Sequence, residues 1–85
     1  MAQFDFEVEM EVNTKSEDGD NITTYELVAI ISDKKLGVIK YPMTVQYSNG
    51  MVLHQKNKLI NDFPNVQLRR DLISEMKIYV RSLEE

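Results

Sequence analysis

Asn65 to Glu85 reads as one amphipathic helix, and its apolar stripe dictates what the rest of the chain must supply. Leu68, Leu72, Met76, Tyr79 and Leu83 recur at helical spacing, and at ~100° per residue they share one narrow arc. Ile73 and Val80 widen that arc on one side, and Val66 extends it. Arg70, Lys77 and Arg81 fall opposite, which makes the outer helix face basic. Arg69 projects into the apolar arc, where its stem must run past the core or pair with a carboxylate at the sheet margin. Ile78 lies on the polar side as an isolated apolar residue. Such a stripe has to cover something, and everything before it reads as strand.

Phe4, Phe6, Val8, Met10 and Val12 alternate with Asp5, Glu7, Glu9 and Glu11, the period-two signature of a half-buried strand. Lys15 to Asn21 is a turn cluster with Asp18-Gly19 at its centre, and Ile22 to Ser32 is a second, β-branched strand. If Asp18 and Gly19 are the central pair of a tight hairpin, Val12 faces Tyr25, Met10 faces Leu27, Val8 faces Ala29 and Phe6 faces Ile31. All of those pairs are apolar, and a one-residue slip would set acids against them. The other face then pairs Glu11 with Glu26, Glu9 with Val28 and Glu7 with Ile30. The second strand is apolar on both sides, which places it inside the sheet.

Asp33-Lys34-Lys35 predicts a turn and Leu36 to Tyr41 a short third strand, interrupted by Pro42, which lacks an amide donor. Met43–Tyr47 and Met51–Gln55 flank Asn49-Gly50, the strongest short hairpin signal, with Tyr47 facing Val52 and Val45 facing His54. Lys56 to Phe63 reads as a loop or an irregular lead-in that uses Leu59, Ile60 and Phe63 as plugs. Pro64 or Asn65 opens the helix. The expected fold is α+β: an antiparallel sheet of four to five strands, built from two hairpins, with one C-terminal amphipathic helix packed on one face. Eighty-five residues make a single small domain, residues 1–85, with 42% hydrophobic residues for its core.

The chemistry is bounded mainly by what is missing. There is no cysteine, hence no disulfide, thiolate nucleophile or thiolate-held metal. His54 is the single histidine, with no partner at the spacing of a triad or a metal site. The oxygen-rich run Ser16 to Asn21 does not follow the twelve-residue calcium loop, and turn chemistry accounts for it. No metal, cofactor or catalytic residue is therefore expected, and the chain is read as non-enzymatic. No basic-then-apolar leader and no apolar run of ~20 residues is seen, so a cytoplasmic protein is expected. The net charge of −4 disfavours nucleic acid as a partner.

The carboxylates Asp5, Glu7, Glu9 and Glu11 are the most unusual feature. The ordinary reading is a solvated strand face that discourages edge pairing. The functional reading is a docking surface, extended by Glu26, Val28 and Ile30, for a protein with a basic surface or for a second copy in a homodimer. Arg70, Lys77 and Arg81 form a secondary basic face. On that basis the chain is expected to be a small acidic protein-interaction module, working through an acidic sheet face or a sheet edge. An inhibitor, adaptor or assembly factor of a phage or a bacterium would fit. Two alternatives stand behind it. One is a single-stranded nucleic-acid-binding domain of sheet-plus-helix type, which would need exposed aromatics among basic residues. The other is a small SecB-like chaperone, which would need an exposed apolar groove.

Overall fold

A computed structural model describes residues 2–85. Four strands, β1 (Gln3–Lys15), β2 (Asn21–Asp33), β3 (Gly37–Ser48) and β4 (Met51–His54), form one antiparallel sheet in sequential order. Helices α1 (Lys56–Asp62) and α2 (Val66–Glu84) follow, so the expected α+β architecture is observed, with a second, short helix in place of the expected loop or irregular lead-in.

The core is made by two periodicities meeting. Tyr25, Leu27, Ala29 and Ile31, every second residue of β2, are buried on the helix side, as are Met43 and Val45 of β3. From α2, Leu72, Met76 and Val80 come down on them, each fully buried. Leu68, Ile73 and Tyr79 pack around this centre, whereas Leu83 and Val66, expected in the stripe, remain exposed. The buried stripe is therefore shorter than the sequence suggested, stopping short of Val66 at one end and Leu83 at the other. Asn65 caps α2 by accepting a hydrogen bond from the Leu68 amide at 3.0 Å.

Helix length decides how much sheet is covered. Nineteen helical residues reach ~28 Å at 1.5 Å each, while the molecule extends 45 Å along its longest axis. At the C-terminal end of α2, Tyr25 donates its phenolic hydrogen to Glu84 at 2.5 Å. Beyond Tyr25 the β1–β2 hairpin runs on with no helix above it.

The first hairpin departs from the expected register. In its turn the Gly19 amide donates to the Ser16 carbonyl and the Ser16 amide to the Asp20 carbonyl. Gly19 alone has a positive φ, +87°. Glu17 and Asp18 are thus the central pair, followed by a left-handed glycine, a three-residue loop in place of a two-residue one. Asp18 is spared the positive φ that a two-residue turn would demand of it. That turn opposes Lys15 to Asn21 and Val12 to Thr24, which would set Val8 and Phe6 against the outward residues of β2. Instead, Phe4 faces Ile31, Phe6 faces Ala29 and Val8 faces Leu27. The one-residue conflict is absorbed by a bulge at Glu9, between Val8 and Met10. The expected pairs Val8–Ala29, Phe6–Ile31, Met10–Leu27 and Val12–Tyr25 are accordingly replaced.

The second hairpin follows expectation. Asn49 and Gly50 both have positive φ, and Tyr47 opposes Val52 while Val45 opposes His54. β3 continues through Pro42, which pairs opposite Val28 where β4 no longer reaches, so the missing amide leaves no gap in the sheet. Lys58 of α1 covers that stretch, donating to the Pro42 carbonyl and lying over the Tyr41 ring. Leu59 and Phe63 are buried plugs as expected, but Ile60 points outward. Half-buried Arg69 finds a backbone partner and not the carboxylate expected as one alternative: it donates to the Phe63 carbonyl at 2.9 Å, tying α2 to the chain that enters it.

Two substitutions probe these supports. Gly19→Val should lose about 1–2 kcal/mol in denaturant unfolding from the left-handed backbone alone, since a side chain there would touch nothing within 4 Å. Leu72→Ala should lose roughly 2–5 kcal/mol, the range for truncating a buried leucine.

Candidate functional site: the bare sheet face

Neither helix packs on the second face of the sheet, and the strand registers define what stands on it row by row. In one row Asp5, Ile30 and Lys40 are neighbours across β1, β2 and β3. The next holds Glu7, Val28 and Pro42. Val28 and Ile30 are half-buried between their polar neighbours, and Glu26 accepts a hydrogen bond from the Thr44 hydroxyl at 2.9 Å. Asp5, Glu7, Glu26, Val28 and Ile30 therefore form one contiguous patch, as the alternation predicted.

The bulge changes the rest. It turns Met10 and Val12 to this outer face, opposite Glu26 and Thr24, and turns Glu11 to the helix side, opposite Tyr25. Glu9 is the extra residue of the bulge and has no cross-strand partner. Glu11 is thus removed from the proposed docking patch. It stands with Glu84 near the Tyr25 hydroxyl, and burial together with those two carboxylates raises the phenol well above its ordinary pKa. Tyr41 is raised in the same way, by burial and by Asp62, which accepts its hydrogen bond at 2.6 Å.

Apolar surface joins the acids at the rims of the face. Met10 is 57% exposed, and Val12, Val38, Met51 and Leu53 are also exposed. Met51 and Leu53 were legible in principle: opposite Ser48 and Gln46, they must point away from Val52 and His54. Met10 and Val12 were not, because strict alternation assigned them to the core.

The basic helix residues are not one free stripe. Arg70 and Arg81 are exposed, while Lys77 is half-buried and bears on His54. These residues lie toward the β4 side of α2, and Glu75, Ile78 and Tyr79 lie toward β1. The molecule is therefore polarised, acidic along β1 and basic along the opposite flank.

Other features of the described residues offer less chemistry. An open cleft between the β2–β3 turn and the α1–α2 junction includes Asp33 and Asp62, but both carboxylates are engaged. Asp33 accepts from the Lys35 and Leu36 amides, which holds its pKa below the ordinary value, and Asp62 accepts from Tyr41. No group of three or more His, Asp or Glu side chains converges as a metal site among the described residues. No described helix is long and apolar enough to cross a membrane. His54 stands on the helix side opposite Val45, and its Nδ1 is buried without a hydrogen-bond partner. Burial first, then the positive charges of Lys77 and Lys56, hold its pKa below the usual histidine value.

No protein-family model, no curated protein and no solved structure matches this chain.

The His54 environment gives a pH dependence of definite sign. The folded state resists protonation more than the unfolded state does, so the unfolded state binds more protons below the unperturbed value of about 6.5. Stability should therefore fall as pH drops through about 6.5 toward the depressed folded value. The melting temperature of His54→Gln should fall less between pH 7 and pH 5.5 than that of the natural chain. Parallel pH profiles would show that His54 takes up its proton equally in both states.

Proposed function

We propose that this chain is a non-enzymatic protein-interaction module whose bare sheet face receives a protein presenting basic residues around an apolar centre. The observation that carries this reading is the composition of that face. Asp5, Glu7 and Glu26 surround half-buried Val28 and Ile30, and exposed Met10, Val12, Met51 and Leu53 border them. Large exposed apolar side chains are costly when they gather on one face, and a surface that mixes them with one sign of charge suits a complementary partner better than water. The apolar centre would supply contact area, and the carboxylates would supply steering and register.

Single-stranded nucleic acid is a poorer match to the same surface. Bases stack on exposed aromatics beside Lys or Arg, whereas this face carries no Phe or Tyr and has Lys40 as its cation among the rows described. Phe4, Phe6, Tyr25, Tyr41 and Tyr47 all pack on the helix side. An inhibitor, adaptor or assembly role is compatible with the face.

The test is affinity capture from the source cell with nuclease present, using four baits. The natural chain and Arg70→Glu/Arg81→Glu should retain the same partner. Asp5→Lys/Glu7→Lys and Val28→Ser/Ile30→Ser should lose it, and added salt should weaken capture, because exposed charges are screened beyond ~10 Å at 0.1 M. A partner that survives both face variants, or recovery that depends on nucleic acid, would overturn the reading.

A further inference from the structure

The two edges of the sheet are not equivalent. At the β4 end, the edge is broken up: β4 pairs with only Val45–Ser48, and the stretch of β3 beyond it contains Pro42 and lies under Lys58. At the other end β1 runs from Gln3 to Lys15, contains no proline, and pairs with β2 alone. Along it lie the 38%-exposed Val8 and, on the neighbouring flank of α2, the 60%-exposed Ile78. A long edge that no other element covers is a template for another strand unless its charges or a bulge forbid the pairing.

We infer that β1 is the seam of a two-fold homodimer, in which the β1 strands of two copies pair antiparallel about the Glu9 bulge. The bulge supplies the argument for a second copy. A two-fold axis perpendicular to the sheet keeps the helices of both copies on the same side, so outer residues must oppose outer residues. In a regular β1 all four of Asp5, Glu7, Glu9 and Glu11 would share the outer face. Antiparallel pairing centred anywhere from Asp5 to Glu11 would then set carboxylate against carboxylate, which is destabilising.

The bulge exchanges the faces half-way along the strand. Asp5 and Glu7 are outward before it, and Met10 and Val12 are outward after it. Pairing centred between Val8 and Glu9 brings the two bulges together at the axis, where Val8 and Glu9 do not form a regular pair, and on either side of it opposes Glu7 to Met10 of the second copy and Asp5 to Val12. On the helix side it opposes Phe6 to Glu11 and Phe4 to Asn13. No carboxylate faces another directly, and the acids of each copy lie beside apolar residues of the other. An edge that looks protected by charge is, through one inserted residue, compatible with its own copy. The same pairing would join two bare faces into one continuous eight-stranded surface. It does not depend on what that surface binds.

Because each chain carries a net charge of −4, the copies repel at long range, and added salt should strengthen the dimer. Capture of a basic partner would respond with the opposite sign, so failure of one reading is distinguishable from failure of the other. The chain has no cysteine, which makes cross-linking clean. In a Glu7→Cys/Met10→Cys variant, both positions are exposed, and within one extended strand they are too far apart to bridge. In the dimer each opposes the other's counterpart. Light scattering should give twice the chain mass, increasingly so in high salt, and mild oxidation should link the double-cysteine variant into covalent dimers. Neither single-cysteine variant should link to a comparable extent. A monomer at every attainable concentration would overturn the proposal. So would a dimer that resists cross-linking in the double variant, since its seam would then lie elsewhere.

Discussion

The fold depends on one apolar contact: Leu72, Met76 and Val80 of α2 laid on the alternate residues Tyr25 to Ile31 of β2. Each side is useless alone. A nineteen-residue helix with this stripe is marginal in water without a surface to cover, and a lone four-stranded sheet has two faces and one core's worth of apolar residues. The contact also settles which face of the sheet is left over. Odd-numbered residues of β2 go to the helix, so Glu26, Val28 and Ile30 must stand on the other side. The bare face proposed for docking is thus the remainder of the core, set by the same parity.

Where the sequence was readable, local chemistry and tertiary packing asked for the same thing. Asn49-Gly50 supplies two residues that tolerate positive φ, and the register it sets puts Val45, Tyr47 and Val52 on the helix side without adjustment. β2 could be placed inside the sheet because it is apolar in both directions. At the first hairpin the two demands disagree. Only Gly19 takes a positive φ, which selects a three-residue loop, while Phe4, Phe6 and Val8 are held to Ile31, Ala29 and Leu27 by the core. Parity cannot satisfy both, and Glu9 is left over. Alternation of acid and apolar residues runs straight through the bulge, so the sequence carries no mark of it. Read by alternation alone, Glu11 therefore belongs to the outer patch and Met10 and Val12 to the core, the reverse of what the bulge produces. The end of the helical stripe was misplaced for a related reason: Leu83 has the right spacing, but spacing alone does not say where the cover ends.

Charge follows the same geometry. Carboxylates gather on β1 and on the adjoining flank of α2, and Arg70, Lys77 and Arg81 gather on the flank above β4. Net charge alone, −4 over the whole chain, conceals this separation. A small domain polarised in this way would offer different surfaces to a basic partner and to its own copy, and added salt would move those two proposed associations in opposite directions. His54 adds a local weakness on the basic flank, where burial and two lysines oppose its protonation.

The bulge at Glu9 decides both the composition of the outer face and the character of the β1 edge. Cross-strand proton contacts in solution, measured by nuclear Overhauser effects on the isotopically labelled chain, test it directly. A bulged β1 should give contacts between Val8 and Leu27, between Met10 and Glu26, and between Glu11 and Tyr25. Contacts of Met10 with Leu27 and of Val12 with Tyr25 would mean a regular strand, with all four carboxylates on one face, and would contradict it.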